Sequence, residues 1–172
     1  MKLSTVKDIA EIFGIVSGVV VMTLGVMEYI RSNNQSRHAA SLQYVLQLQS
    51  ASIRNDYDQL DEIWNAYDLE ELSQLGNRQE ITKAITDKVL SGETGPEFLR
   101  SFDNMVSFID AAGSCVQANV CDEGLLKREL ESLSSKLTCL HGSLFKVVAT
   151  QQQKAHFGEG VRFFAGSSAC AL

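Results

Sequence analysis

Apolar residues fall along this chain in two different ways. From Ile12 to Met27 they run together, I-F-G-I-V-S-G-V-V-V-M-T-L-G-V-M, with no charge among the 16 positions. Beyond Ala39 they recur at steps of three and four among polar residues, the spacing of an amphipathic helix. The first such stretch carries Leu42, Val45, Leu46, Leu48, Ile53, Tyr57, Leu60, Ile63, Trp64 and Tyr67. Leu69, Leu72 and Leu75 continue it to a stop signal at Gly76-Asn77. Ile81, Ile85 and Val89 predict a shorter helix, and Ser91-Gly92-Glu93-Thr94-Gly95-Pro96 a loop whose proline suits the first turn of the next helix. That helix carries Phe98, Leu99, Phe102, Met105, Val106 and Ile109 and is expected to fade at Ala111-Ala112-Gly113.

The last long helix is expected to begin after Cys121, with Asp122 as its N-cap. It holds the most regular spacing in the chain. Leu126, Leu130, Leu133, Leu137, Leu140, Leu144 and Val147 alternate steps of four and three, which is a heptad seam. A coiled coil and a helical bundle both use that spacing, and a bundle is the more frequent user at this length. An aromatic patch, Phe157, Val161, Phe163 and Phe164, is placed to dock on such a bundle.

The uncharged run near the amino terminus is of another kind. At about 1.5 Å per residue it covers about 24 Å, short of a ~30 Å hydrocarbon core. Ile9, Ala10, Tyr29 and Ile30 extend it, giving a predicted transmembrane helix from Ile9 to Ile30. Glu11 and Glu28 then fall near its two ends, where Lys7 and Arg31 stand within pairing distance along the helix. A cleaved signal peptide would need a small-x-small site after the apolar run, and Glu28-Tyr29-Ile30-Arg31 does not supply one. A buried core helix is the soluble alternative, but the segment is apolar on all sides, with Val19, Val20, Val21 and Met22 in succession, which favours the span. Ala10, Gly14, Ser17, Gly18 and Gly25 line one face of the span, with Gly14 and Gly18 forming a G-x-x-x-G pair. Such a face lets a second transmembrane helix approach closely. Lys2 and Lys7 on one side and Arg31 and Arg37 on the other leave the orientation undecided.

Composition narrows the function classes. One proline in 172 residues, with many Leu, Gln, Ser, Glu and Ala, favours helix over strand. A net charge of −6 with scattered lysines and arginines argues against nucleic-acid binding. His38, His141 and His156 stand in no metal-ligand spacing and read as surface or half-buried residues; no E-x-x-H pair of a di-iron bundle occurs. No cofactor or metal site is therefore expected. Asp56-Tyr57-Asp58-Gln59-Leu60-Asp61-Glu62 lacks the glycine and the distant glutamate of a calcium loop and reads as a solvated helix face. No phosphate-binding loop, nucleophile elbow or H-E-x-x-H is present, so no catalytic constellation is predicted.

The four cysteines are Cys115, Cys121, Cys139 and Cys170, without a C-x-x-C spacing. Cys115 and Cys121 flank the turn between two predicted helices, and Cys139 could approach from the second. In an oxidising compartment a 115–121 disulfide would staple that hairpin, whereas in the cytosol these would be small buried thiols.

Tyr29-Ile30-Arg31-Ser32-Asn33-Asn34 resembles a feature of small bacterial single-pass membrane proteins of uncharacterised families, in which a first helix ends in an Ile-Arg-x-Asn type turn and a helical domain follows. The stretch from Phe98-Leu99-Arg100-Ser101-Phe102 to Cys121-Asp122-Glu123-Gly124-Leu125-Leu126 is similar to their C-terminal halves. The resemblance implies a bacterial inner-membrane protein, with a lean towards a cytoplasmic domain, and implies no activity.

The expected architecture is all-α, a single N-terminal transmembrane helix followed by a soluble antiparallel helical bundle. Residues 1–31 form the anchor with its short tail, 32–38 a juxtamembrane connector, 39–165 the bundle and 166–172 a flexible tail. The expected function is a membrane-anchored interaction module, an accessory or assembly subunit of a larger membrane complex. Its partners are then membrane lipid and other transmembrane helices, from a partner subunit or a second copy. The alternative is a single-pass sensor whose helical domain binds a ligand.

Overall fold

A computed structural model describes the backbone of residues 3–65, 78–92 and 95–166, and the side chains of residues 21–62, 65, 80–92, 95–151 and 153–166. Every regular element among these residues is a helix: α1 (Leu3–Leu48), α2 (Ala51–Asn65), α3 (Arg78–Ser91), α4 (Gly95–Gln117), α5 (Glu123–Gln152) and α6 (Glu159–Ala165). The chain divides into two compact units, Met1–Arg37 and His38–Leu172.

Local chemistry accounts for most of the boundaries. Ser32, Asn33 and Asn34 are indifferent helix formers, but no proline or glycine stands among residues 32–38, and α1 runs through the expected connector without a break. The expected continuation from Leu48 into Ile53 is interrupted instead. The apolar spacing there takes a step of five, too long for one helix face, and the chain turns at Gln49 and Ser50. Ser50 N donates to Gln47 O at 3.0 Å, and Arg54 N to Ser50 O at 2.9 Å starts α2. Ile63 and Trp64 fall outside the described side chains, and Tyr67, Leu69, Leu72, Leu75 and Gly76-Asn77 outside the described residues altogether. So do Ser167 to Leu172 of the expected tail.

α4 continues beyond its expected end at Gly113 to Gln117. Gly113 is a weak helix former, but it is the point where another segment comes closest, as set out below. α5 begins as its capping chemistry requires, with Asp122 in extended conformation and its Oδ1 accepting from Leu125 N at 3.0 Å. Inside α5, His141 leaves helical geometry (φ −120°, ψ 23°) and kinks the helix just before Gly142-Ser143, a glycine/serine pair of the kind found at such bends.

The core of the second unit is built chiefly by α4 and α5. Phe98, Phe102, Met105, Val106, Ile109 and Ala112 of α4 meet Leu126, Leu130, Leu137 and Leu144 of α5, all at most 1% exposed. Leu60 from α2, Ile85 from α3, and Val161 and Phe164 from α6 close it. Phe102 is the hub of an aromatic cluster, 5.2 Å from Phe145, 5.7 Å from His141 and 6.1 Å from Phe98 between ring centroids. The pairs with Phe145 and His141 are edge-on and that with Phe98 is stacked, arrangements that add to the burial of the rings themselves.

Candidate functional site

Among the described residues the largest exposed apolar feature lies on α1. Val21, Met22, Leu24, Val26, Met27, Tyr29 and Ile30 are between 52% and 77% exposed. Contiguous apolar surface of this sort is rarely left bare in water. Among the described residues no helix is long and apolar enough to cross a membrane. The expected span begins at Ile9, and the side chains of its first residues, through Val20, lie outside those described. Ala10, Gly14, Ser17 and Gly18 of the expected packing face are among them. Gly25 is within the described set, and a Cβ added there would meet nothing within 4 Å.

The last turns of α1 belong to the second unit and meet the α4–α5 corner. Tyr44 packs tilted against Phe108, ring centroids 5.9 Å apart, and its hydroxyl donates to Ala111 O at 3.4 Å. Ser41, itself fully buried, accepts at Oγ from Asp122 N at 2.6 Å. His38 Nδ1 stands 3.8 Å from Asp122 Oδ2. Asp122 thus caps α5 with one carboxylate oxygen and faces α1 with the other.

Cys115 and Cys121 are joined in a disulfide across that corner, with their Cα atoms 5.3 Å apart. Val120 N and Cys121 N both donate to Cys115 O, at 3.0 and 3.2 Å, so the backbone closes the same loop. Cys139 is also disulfide-bonded, and no cysteine among the described residues is free.

The heptad seam faces the core of its own chain. Leu126, Leu130, Leu133, Leu137 and Leu144 are buried, while Leu140 and Val147 are only half-buried. His141, expected at the surface or half-buried, is fully buried, with its ring against Phe98 at 5.1 Å and Phe102. Burial lowers its pKa from 6.5 to about 3, which keeps the ring neutral. Its place four residues after Leu137 and three before Leu144 was the available signal, since that is core spacing.

Two polar arrangements have no signal in the sequence. Asp110, on α4, holds the start of α6. Its Oδ2 accepts from Gly158 N at 2.7 Å, and its Oδ1 from Gly160 N at 2.7 Å and Val161 N at 3.4 Å. Burial raises its pKa, an effect partly offset by those three N–H donors and by Arg162. Asp56, 6% exposed, ties α2 to α4: Ser101 Oγ donates to its Oδ1 at 2.9 Å and Asn104 Nδ2 to its Oδ2 at 3.1 Å, and Gln59 meets Ser101 beside them. Both join residues more than 40 positions apart and have no local signature. Both are satisfied within the fold and leave no group aimed at a reactant. Among the described residues no group of three or more His, Cys, Asp or Glu could hold a metal ion.

Comparison with known protein families, with curated proteins and with solved structures returns no match for this chain.

Proposed function

We propose that the protein is a membrane-anchored helical interaction module, an accessory or assembly subunit of a larger bacterial inner-membrane complex. The observation that carries this reading is the bare apolar surface from Val21 to Ile30, which continues the uncharged run of the sequence from Ile12. Lipid and a neighbouring transmembrane helix are the natural cover for it. The satisfied polar clusters and the inward-facing seam of the helical domain support binding rather than chemistry as its role.

For the side of the membrane, the disulfides favour an oxidising compartment over the cytosol. We therefore place the helical domain on the periplasmic face, against the cytoplasmic lean of the resemblance, with Lys2 and Lys7 inside. Alkaline carbonate extraction tests the anchor: the full chain should stay in the membrane pellet, and release into the supernatant would overturn it. Protease added to intact spheroplasts tests the side, because a protected domain would place it in the cytosol. Blue-native electrophoresis after mild detergent extraction tests the assembly. The wild type should migrate above monomer size, and Gly14→Leu with Gly18→Leu should weaken the association.

A further inference from the structure

Beside the turn after α1, a surface groove of about 390 Å³ opens between α2 and α5. Its apolar lining comes from Leu48, Tyr57 and Leu133. Arg54 and Asp58 of α2 stand on one wall, and Glu129 and Lys136 of α5 on the other. The volume is within the range of small-ligand sites, and apolar walls with a few charges are their usual construction.

The charges on the α2 wall are unspent. Arg54 and Asp58 are opposite in sign and one turn apart, yet among the described residues neither has an ion-pair partner. The cation lies N-terminal to the acid, the less favourable order for pairing along a helix. On the facing wall, by contrast, Glu129 is 3.4 Å from Arg128 and Lys136 is 3.9 Å from Asp61.

We propose that this groove binds a short apolar peptide with free termini, of dipeptide size. Arg54 receives the carboxylate, Asp58 the ammonium group, and Leu48, Tyr57 and Leu133 the side chains. The placement suits it: the two positions, four residues apart, are separated by about 6 Å of helix rise, and an extended chain spans about 3.3–3.6 Å per residue. A guanidinium can hold the carboxylate with two parallel hydrogen bonds. The proposal is independent of the membrane reading and holds wherever the domain is located.

Titration calorimetry on the purified full chain tests it, with leucyl-leucine as the probe. Leucyl-leucine should bind, and its N-acetylated and C-amidated forms should each bind about tenfold more weakly or worse, since each removes one charge-assisted contact. Arg54→Gln should abolish the preference for the free carboxylate while retaining that for the free amine. Asp58→Asn should do the reverse. Both side chains are exposed, so the variants should keep the wild-type circular dichroism spectrum and melting temperature. The proposal is overturned if leucyl-leucine does not bind, if the capped forms bind equally well, or if either variant keeps both preferences. Free leucine binding as tightly as leucyl-leucine would also overturn it, because the two-charge spacing would then be irrelevant.

Discussion

Gly113 of α4 and Gly160 of α6 meet backbone to backbone: a Cβ placed on Gly113 would lie 2.8 Å from Gly160 Cα. The reverse substitution is tighter still, since a Cβ on Gly160 would lie 2.5 Å from Ile109 O and 2.6 Å from Asp110 Cα. These contacts are with backbone, which cannot rotate away. Gly160→Ala should therefore force α6 off α4 and cost about 1–3 kcal/mol. Urea unfolding followed by circular dichroism measures this as a lower midpoint. Gly142→Ala is the control, because a Cβ there meets nothing within 4 Å; it should leave stability unchanged or raise it by up to about 1 kcal/mol.

Asp110 fastens the same junction. Asparagine would keep one oxygen for Gly160 N but would turn an NH2 group towards Gly158 N, leaving a donor facing a donor. Asp110→Asn should cost about 1–3 kcal/mol, the range for an orphaned buried polar group. Faster amide exchange at Gly158, Gly160 and Val161 would localise the loss to the start of α6.

His141 gives the domain a defined acid sensitivity. Its folded pKa, about 3, lies below the unfolded 6.5. The unfolded chain therefore takes up a proton as pH falls below 6.5 while the folded chain does not. The stability conferred by the neutral ring is complete above pH 6.5 and is lost as pH falls towards 3, at about 1.4 kcal/mol per pH unit. Urea midpoints across that window should show the slope, and His141→Leu should flatten it even if its stability at pH 7.5 is lower.

The Cys115–Cys121 bond closes a small loop of sequence separation 6, and constraining the unfolded chain through a loop of that size contributes about 2 kcal/mol. Cys115→Ser together with Cys121→Ser should lower the melting temperature to that extent. The double variant should also lose part of the wild type's response to dithiothreitol. An unchanged melting temperature would mean that the backbone bonds from Val120 and Cys121 to Cys115 hold the corner alone.

The helices are legible in the apolar spacing, and the α4–α5 corner in two local signals, the Asp122 cap and the flanking cysteines. Elsewhere contacts made at long range override the local signals. Gly113 looks like an end because glycine disfavours helix, yet α4 continues there because Gly160 needs the space. Asp110 looks like one more exposed acid, and only the return of the chain 48 to 51 positions later gives it three donors. The turn at Gln49-Ser50 shows in the sequence only as a step of five between Leu48 and Ile53, masked by the regular spacing on either side. His141 reads as a surface or half-buried residue from its type, although its spacing matches that of its leucine neighbours.

The kink at His141 also decides what the heptad seam can be. A straight α-helix drifts by about 20° per heptad against a strict seven-residue repeat, and a coiled coil absorbs the drift by supercoiling. α5 absorbs it by bending. Before the bend the buried positions follow the seam through Leu137; after it they advance to His141, Leu144, Phe145 and Val148, while Leu140 and Val147 slip to the edge. The repeat is therefore out of phase with itself across residue 141. A second copy laid along this helix could mesh with one half of the seam or the other, but not with both.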